Sequence, residues 1–171
     1  MKEKIDAFDY AELINKTLKR PGLLLNTNGD KFNSMVIGWG HMGTLWNLPT
    51  FVVYVRRSRY TKPQLDKTGE FTISVPMDGK ISPEVMKACG SQSGRDIDKA
   101  QLFTLEEPET NRVPGVREYP LTLECKVLYS QEQVVENIPA DIRKKFYEWG
   151  GDEGSEHTAY VGLITDAYII K

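Results

Sequence analysis

The sequence predicts a mainly β (α+β) fold, a barrel or sandwich of about six or seven strands with short helices between them. Several short runs alternate apolar and polar residues, which is the period of a strand with one buried face. The segments between these runs are too short for the regular helical crossovers of a parallel sheet. Gly38, Gly40 and Gly43 do have G-x-G-x-x-G spacing, but they lead to Pro49 and a further strand instead of a helix. A doubly wound nucleotide-binding fold is therefore disfavoured.

The N-terminal part of the chain predicts a helix followed by a hairpin. Asp9 and Glu12 have the spacing of a capping box, and a Pro-Gly pair ends the helical pattern, so we expect an N-terminal helix within residues 1–21. An Asn-Gly-Asp turn at residues 28–30 then joins two strands. The strands expected from alternation and turn residues cover 22–27, 32–40, 50–56, 71–75, 102–105, 121–127 and 157–170, of which 50–56 is central and 102–105 is the weakest.

Further helices have start signals between the strands. Thr61 has capping-box spacing to Gln64, with a proline in the first turn, which predicts a helix that ends at Gly69. We expect one domain over residues 1–171, with residues 138–156 as a helical and loop insertion before the last strand. The remaining helical segments expected are 83–90 after a Ser-Pro start, one turn capped by Asp96, and 140–149, which precedes an acidic run at 150–156.

The composition excludes several classes of function. The chain has 171 residues, and 22 Lys and Arg side chains against 24 Asp and Glu give a formal charge of −2. The protein as a whole therefore does not attract nucleic acid or an anionic membrane, although a local basic cluster can still bind a small anion. The longest apolar stretch is far shorter than the roughly 20 residues of a membrane-spanning helix. The charged start lacks the apolar core of an export signal, and Cys89 and Cys125 do not suggest a disulfide framework. We therefore expect a cytoplasmic protein whose partners are neither nucleic acid nor membrane.

The densest group of polar side chains follows the central strand. Three arginines and three hydroxyl groups occupy consecutive positions between a strand end and a helix start. Unpaired N–H groups at a helix start favour an anion, and arginine and hydroxyl side chains add donors suited to a phosphate. The alternative is a solvated turn whose arginines pair with surface carboxylates. The candidate phosphate ligands of this turn are Arg56, Ser58, Arg59, Tyr60 and Thr61.

Two further segments bear on the ligand. Ser93, Gly94 and Arg95 precede a predicted helical turn, with Lys99 beyond it; taken alone this is a surface loop, but with the basic turn it favours a phosphorylated ligand. Glycines on both sides of Trp39 leave backbone donors and acceptors beside an aromatic plane, where a flat heteroaromatic ligand could lie. The alternative for Trp39 is a plain core residue, because aromatic side chains in strands usually pack.

Together these segments resemble the flavin reductase-like, FMN-binding split-barrel family, which includes flavoredoxin. The motifs that carry the resemblance are N-S-M-V-I-G-W-G at 33–40, R-x-S-R-Y-T at 56–61, G-E-F-T-I-S-V-P at 69–76, S-G-R-D-x-D-K at 93–99 and H-T-x-Y-V-G at 157–162. The resemblance implies a homodimeric split β-barrel with short peripheral helices, which holds FMN noncovalently near the subunit interface.

The resemblance also implies a set of site residues. Family members contact flavin at the positions of Asn33, Trp39, Thr61 and Lys99. Ser58 to Thr61 would face the phosphate, and Ser93 to Arg95 the ribityl-phosphate end. Related reductases have Gly-Asp-His before the last strand, where this chain has Ser-Glu-His after an inserted helix, so the alternative for His157 is a histidine at the surface or on an edge strand. The residues whose backbone would face the isoalloxazine are Met35, Val36, Ile37, Gly38 and Trp39.

The expected function is an FMN-dependent oxidoreductase that moves electrons from NADH or NADPH, as a transient donor, through FMN to free flavin or another acceptor. Because the cofactor carries the difficult chemistry, we expect no catalytic residue. The alternatives are an FMN-binding electron carrier or sensor without turnover, and a barrel that binds or assembles without flavin. No metal is expected, since the two histidines are remote in sequence and no cysteine pair has zinc spacing.

Overall fold

The computed structural model describes residues 1–148 and 156–171. Within them, short 3-10 segments occur at Ala7–Tyr10, Lys99–Leu102 and Val135–Asn137. The strands are β1 (Lys2–Lys4), β2 (Leu23–Asn28), β3 (Phe32–Ile37), β4 (Gly40–Leu45), β5 (Leu48–Arg56), β6 (Glu70–Val75), β7 (Leu105–Glu106), β8 (Gly115–Val116), β9 (Leu121–Glu132) and β10 (His157–Ile170). The helices are α1 (Ala11–Lys19), α2 (Thr61–Thr68), α3 (Pro83–Ser91) and α4 (Ala140–Phe146).

Antiparallel pairing joins the main strands into one curved sheet. Its order is β3-β2-β6-β9-β10-β5-β4, and β1 pairs with the C-terminal part of β10. The two outer strands, β3 and β4, follow each other in the chain but do not pair, so the barrel stays open between them. The prediction of a mainly β split barrel with short helices is confirmed. The register of β10 against β5 sets His157 opposite Arg56.

Apolar side chains from β2, β5, β6, β9 and β10 fill the barrel. Phe71 is fully buried, and its ring occupies the space beside Gly162 in β10. A Cβ atom at Gly162 would lie 2.5 Å from Phe71 Cζ, so this glycine is needed for β10 to pass over the ring. The strand pairing with β9 also shifts register between Val161 and Gly162, which lets the long β10 bend around the core.

The opposite face of β6 is buried as well, so the prediction of a half-buried strand there is wrong. Polar side chains occupy this face, and Asn26 Nδ2 donates to Thr72 Oγ1 at 3.1 Å and Ser74 Oγ at 3.0 Å. The chain between α3 and β9 covers them. Glu124 of β9 holds that segment by accepting backbone hydrogen bonds from Glu109 at 2.7 Å and Thr110 at 2.6 Å. Local alternation could not show that a distant loop would cover a polar face.

One hairpin was absent from the sequence-based prediction. The expected strand 32–40 ends at Ile37, and β4 then pairs with β5 through a tight turn. Trp46 and Asn47 form that turn with φ angles of 52° and 59°, in the left-handed region. Asn adopts this conformation readily, but Trp rarely does, so the sequence at this position did not predict a turn. The weak strand predicted at 102–105 forms only at its last position, because Leu102 ends a 3-10 turn and pairing with another strand begins at Leu105.

The helix predictions are mostly confirmed, with different caps. Ser82 Oγ accepts from Val85 N and caps α3 as expected, and Gly69 ends α2 in the left-handed conformation. Asp6 caps the 3-10 segment that precedes α1, while α1 itself has no side-chain cap, so the predicted cap by Asp9 is wrong. The turn after α3 is capped by Asp98 rather than Asp96. The helix predicted at 140–149 forms over Ala140–Phe146; its last predicted position, Trp149, and residues 150–155 lie outside the described residues. No described helix has the length and apolarity needed to span a membrane.

Candidate functional site

Two adjoining cavities at one end of the barrel bring together every residue that the sequence singled out. They share Met35, Val36 and Arg59. Their volumes are about 190 and 200 Å³. Each cavity is therefore smaller than most ligand clefts, which measure about 300–1,000 Å³. A ligand with a flat ring and a phosphorylated chain therefore needs both. The first cavity is lined by Asn33, Ser58, Tyr60, Thr61, Cys89, Gly90, Ser91, Gln92, Ser93, Gly94, Arg95 and Lys99, and the second by Ile37, Gly38, Trp39, Tyr54, Arg56 and His157.

A buried hydrogen bond joins the walls of the first cavity. Asn33 Nδ2, at the start of β3, donates to Thr61 Oγ1, at the start of α2, over 3.0 Å. Thr61 therefore does not cap α2 with its side chain, as its spacing had predicted. Gly94 packs against the other side of the Asn33 amide, and a Cβ atom there would lie 2.1 Å from Asn33 Oδ1. Only glycine fits at this position without moving the loop.

The arginines of the basic turn have different roles. Arg57 Nη1 pairs with Glu156 Oε1 at 2.7 Å. Arg57, which was not a candidate phosphate ligand, therefore forms the surface ion pair that was the alternative for this turn. The Arg59 guanidinium makes no hydrogen bond or ion pair with any described residue. Arg95 Nη1 lies 3.4 Å from the carbonyl oxygen of Ser58, and its guanidinium lies 5.1 Å from the centre of the Tyr60 ring. The two polar segments thus meet face to face.

Among the residues that the structure describes, no carboxylate lines either cavity, although acidic residues outnumber basic ones in the whole chain. The cavities hold the cationic side chains Arg56, Arg59, Arg95 and Lys99. Repulsion among these charges is relieved by an anion, so the first cavity is suited to a phosphate.

Lys99 lies beneath this group of cations. It is 3 % exposed, and its Nζ donates to the carbonyl oxygen of Ser34 at 2.8 Å. Burial lowers the pKa of Lys99, and the positive charge of Arg59 lowers it further, while Cys89 acts in the opposite direction. The Cys89 thiol is buried on the floor of the first cavity, and burial raises its pKa.

The second cavity lies against an aromatic cluster. Trp39 is 42 % exposed, so the alternative that it is a core residue is wrong. Its ring meets Phe146 edge to face at 5.4 Å between centroids and meets the His157 ring at 5.0 Å. Arg56 places its guanidinium 5.9 Å from the Trp39 ring and donates to the Phe146 carbonyl oxygen at 3.1 Å. One face of the indole thus remains accessible beside Gly38, which is also exposed.

His157 is 5 % exposed in the interior of the sheet, so the alternative of a surface or edge-strand histidine is wrong. Burial lowers the pKa of His157 from 6.5 to about 4, and the charges of Arg56 and Arg59 contribute. The imidazole is therefore neutral near pH 7. Its Nδ1 lies 3.3 Å from the Tyr147 hydroxyl, which also contacts Gln133 Oε1 at 3.0 Å.

Sequence reasoning missed several residues of the site. Tyr54 and Cys89 line the cavities, and Gln133, Phe146 and Tyr147 support the aromatic end from outside. The last three belong to the region before β10 and had no local motif. The sequence offered one indication of them: residues inserted shortly before His157 have to pack near that histidine.

These features fit a flavin mononucleotide. Asn33 Oδ1 is buried without a hydrogen-bond partner in the wall of the first cavity, and Gly94 leaves room that a side chain would take. The cations and hydroxyls supply donors for a phosphate, while Trp39 and the backbone of β3 offer a surface for a ring. Among residues 1–148 and 156–171 no group of His, Cys, Asp and Glu could hold a metal ion.

The fold and the site define a split-barrel protein with a cavity for a phosphorylated aromatic ligand. The chain matches the flavin reductase like domain over residues 17–171 and belongs to that family, as the motifs had indicated. It is similar in structure to the flavoredoxin of Methanosarcina acetivorans, with 27% identity, a TM-score of 0.66, and coverage of 88% of this chain and 69% of that one.

The flavoredoxin of Desulfovibrio vulgaris (Miyazaki F) is also similar, at 25% identity and a TM-score of 0.63 over 88% of this chain and 70% of that one. A curated protein of Archaeoglobus fulgidus, described as uncharacterized, is 34% identical over 82 residues, which are 47% of this chain. The match spans only 45% of that relative. These comparisons establish the family of the chain. The reaction has to be argued from the chemistry of the site.

The buried neutral state of His157 predicts a loss of stability in acid. The unfolded chain binds a proton at His157 near pH 6.5, whereas the folded chain binds it only near pH 4. Neutral His157 therefore makes its full contribution to the free energy of unfolding above pH 6.5. As the pH falls to 4, this free energy decreases by roughly 3 kcal/mol at most. Urea unfolding of the protein and of His157→Gln, measured at several pH values, checks this. A stability difference between the two proteins that stays constant from pH 7 to pH 4 would contradict it.

Proposed function

We propose that this protein binds FMN noncovalently across the two cavities and moves electrons from NADH or NADPH through it to free flavin or another acceptor. The observation that carries the proposal is the continuity of a cavity rich in cationic side chains with a cavity beside an exposed indole. Bound FMN would supply hydride acceptance and stepwise electron transfer, which amino-acid side chains do not provide. The protein supplies binding, orientation and charge.

The phosphate end is assigned to the first cavity. Arg59 has its guanidinium uncommitted among the described residues, and the hydroxyls of Ser58 and Thr61 lie beside it at the start of α2. Arg95 closes the opposite side through its contacts with Ser58 and Tyr60. Charge-assisted hydrogen bonds from such groups are stronger than neutral ones and favour a dianion over a neutral chain end.

The ring end is assigned to the second cavity and the adjoining edge of β3. This strand pairs only with β2, so alternate peptide groups point away from the sheet. The Ser34 carbonyl group points to Lys99, and because strand residues two positions apart point the same way, the Val36 N–H group faces the same side. A backbone donor at Val36, which lines both cavities, and the ammonium group of Lys99 in the first cavity would be available to stabilise negative charge on a bound flavin.

Access to the ring favours turnover. A hydride donor has to stack against the flavin at roughly 3–3.5 Å, which requires an uncovered face. Trp39 and Gly38 leave the second cavity open to solvent, and neutral His157 adds no charge there at pH 7. These features support an oxidoreductase that receives a nicotinamide from solution.

A second candidate is an FMN-binding electron carrier, or a sensor, that does not react with a nicotinamide. The observation that favours it is the resemblance in sequence and structure to two flavoredoxins. The two functions share the cofactor site and differ only in whether NADH or NADPH reduces the bound flavin.

Replacement of Arg59 by Ala is expected to weaken FMN binding about 10- to 100-fold, since a hydrogen bond to a charged group contributes roughly 1.5–3 kcal/mol. Arg57→Ala is the matched control, because the Arg57 side chain pairs with Glu156 and lines neither cavity. Titration of each protein with FMN and with riboflavin, followed by flavin fluorescence, makes the measurement. The loss should affect FMN and spare riboflavin. Equal FMN affinities for Arg59→Ala and Arg57→Ala would contradict the phosphate assignment.

Anaerobic addition of NADH or NADPH to the FMN-loaded protein is expected to bleach the flavin absorbance, and added free FMN should then be reduced in excess of the protein. Visible spectra recorded under argon after each addition provide the readout. Bleaching by dithionite but by neither nicotinamide would reject the oxidoreductase and favour the electron carrier. A protein that binds no FMN at all would reject both.

We also propose that the protein is a homodimer and resides in the cytoplasm. Both cysteines are buried free thiols, as in a reducing compartment. Exposed apolar side chains of Phe8, Trp46 and Leu48 lie around a groove that Phe8, Asn47 and Pro49 line, which is a surface suited to a second copy.

Light scattering is therefore expected to give twice the mass of the chain, and Trp46→Lys to give the single-chain mass. Val134→Lys is the control, since Val134 is an equally exposed apolar residue outside that groove. A wild-type protein that is monomeric at all concentrations would refute the dimer.

A further inference from the structure

A chain of three hydrogen bonds determines which ring nitrogen of His157 carries its proton. The backbone N–H group of His157 donates to Gln133 Oε1 at 3.0 Å, so this Gln133 atom is an acceptor. The Tyr147 hydroxyl lies 3.0 Å from the same oxygen and must donate its proton there. His157 Nδ1 lies 3.3 Å from the Tyr147 oxygen. Because the Tyr147 hydroxyl donates its one proton to Gln133, its oxygen must accept the hydrogen bond from Nδ1. Nδ1 is therefore protonated in the neutral ring.

We propose that Gln133 and Tyr147 are positioning residues that hold His157 as the Nδ1–H tautomer, so that Nε2 is a hydrogen-bond acceptor in the second cavity. Nε2 makes no hydrogen bond with any residue of the described chain, although His157 is 5 % exposed and lines the cavity. Nε2 is not among the buried side-chain atoms that lack a partner, so it is accessible from the cavity and can accept a hydrogen bond from a ligand donor. Neither supporting residue belongs to a motif of the resemblance.

The surroundings keep the ring in place and neutral. Trp39 packs against the His157 ring at 5.0 Å, and Tyr147 meets it edge to face at 5.7 Å. The backbone of Gln133 also donates to the His157 carbonyl oxygen at 3.0 Å, which fixes the supporting residue to β10. Arg56 and Arg59 oppose a positive charge on the ring. The tautomer is thus set by geometry, and the neutral state by burial and charge.

An acceptor beside an exposed indole recognises a flat ring that carries an N–H or O–H group at its rim. On the proposed function, on which this step rests, the primary carboxamide of a nicotinamide is such a group. An analogue in which an acetyl group replaces the carboxamide keeps the ring and the carbonyl group but has no N–H donor. The cavity should therefore discriminate between the two.

The first experiment measures the tautomer directly. In His41→Gln, which leaves a single histidine, long-range proton–nitrogen NMR spectra at pH 7 should show Nδ1 protonated and Nε2 unprotonated. An Nε2–H tautomer or an imidazolium ring at this pH would overturn the proposal. This measurement requires no ligand and no altered residue in the network.

Variants of the network then test which residues fix the tautomer. Tyr147→Phe removes the acceptor for Nδ1–H, and Gln133→Leu frees the Tyr147 proton to turn towards Nδ1, so both should shift the ring towards Nε2–H. Tyr129→Phe is the matched control, because the Tyr129 hydroxyl contacts only Gln131 at 3.2 Å and lies outside the cavities. If both network variants keep the wild-type tautomer, the positioning role is refuted; a shift in either folded variant supports it.

The ligand experiment compares dissociation constants of NAD⁺ and oxidised 3-acetylpyridine adenine dinucleotide for the FMN-loaded protein. Loss of one neutral hydrogen bond predicts about two- to tenfold weaker binding of the acetyl analogue, a difference that should vanish in Tyr147→Phe. An equal preference in both proteins would refute recognition by Nε2. If neither dinucleotide binds, the nicotinamide reaction of the proposed function fails, while the NMR result still decides the tautomer.

Discussion

The hydrogen bond between Asn33 and Thr61 is the contact on which the site depends. It joins the start of β3 to the start of α2, and Gly94 of a third segment packs against the same amide. Asn33 and Thr61 are each 1 % exposed, so breaking this pair would leave buried polar atoms unsatisfied at a cost of roughly 1–3 kcal/mol. The two cationic segments are held on opposite walls of one cavity because this small contact allows no other arrangement.

Charge is distributed unevenly on this framework. The protein is slightly acidic, yet the described residues that line its cavities include four cations and no carboxylate. Such a concentration of like charge destabilises the free protein, and a bound dianion would offset the repulsion. Binding of a phosphorylated cofactor is therefore linked to folding stability. Arg57 differs from the arginines that line the cavities. It lies one position from them in the sequence, and its charge is neutralised by Glu156.

The segment between β9 and β10 shapes the ring end of the site. Phe146 and Tyr147 support Trp39 and His157, while Gln133 ties the segment to the backbone of β10. None of the described residues of this segment belongs to the barrel core. Its effect is on the second cavity, where it decides which face of the indole is exposed and which nitrogen of the imidazole is available.

The sequence by itself determined the fold class, the order of most strands and the local chemistry of the turns. Alternation, Pro and Gly signals and the Arg-Ser-Arg-Tyr-Thr run depend on neighbouring residues, so they can be read without knowing the rest of the chain. The motifs of the resemblance also predicted most of the residues that line the cavities, although not Tyr54 or Cys89. Only the tertiary structure decided the alternatives for Trp39, Arg57 and His157, and it alone showed the turn at Trp46 and the covered polar face of β6. Burial, ion pairing and proton position are set by residues that are distant in sequence, and local patterns carry no information about such contacts.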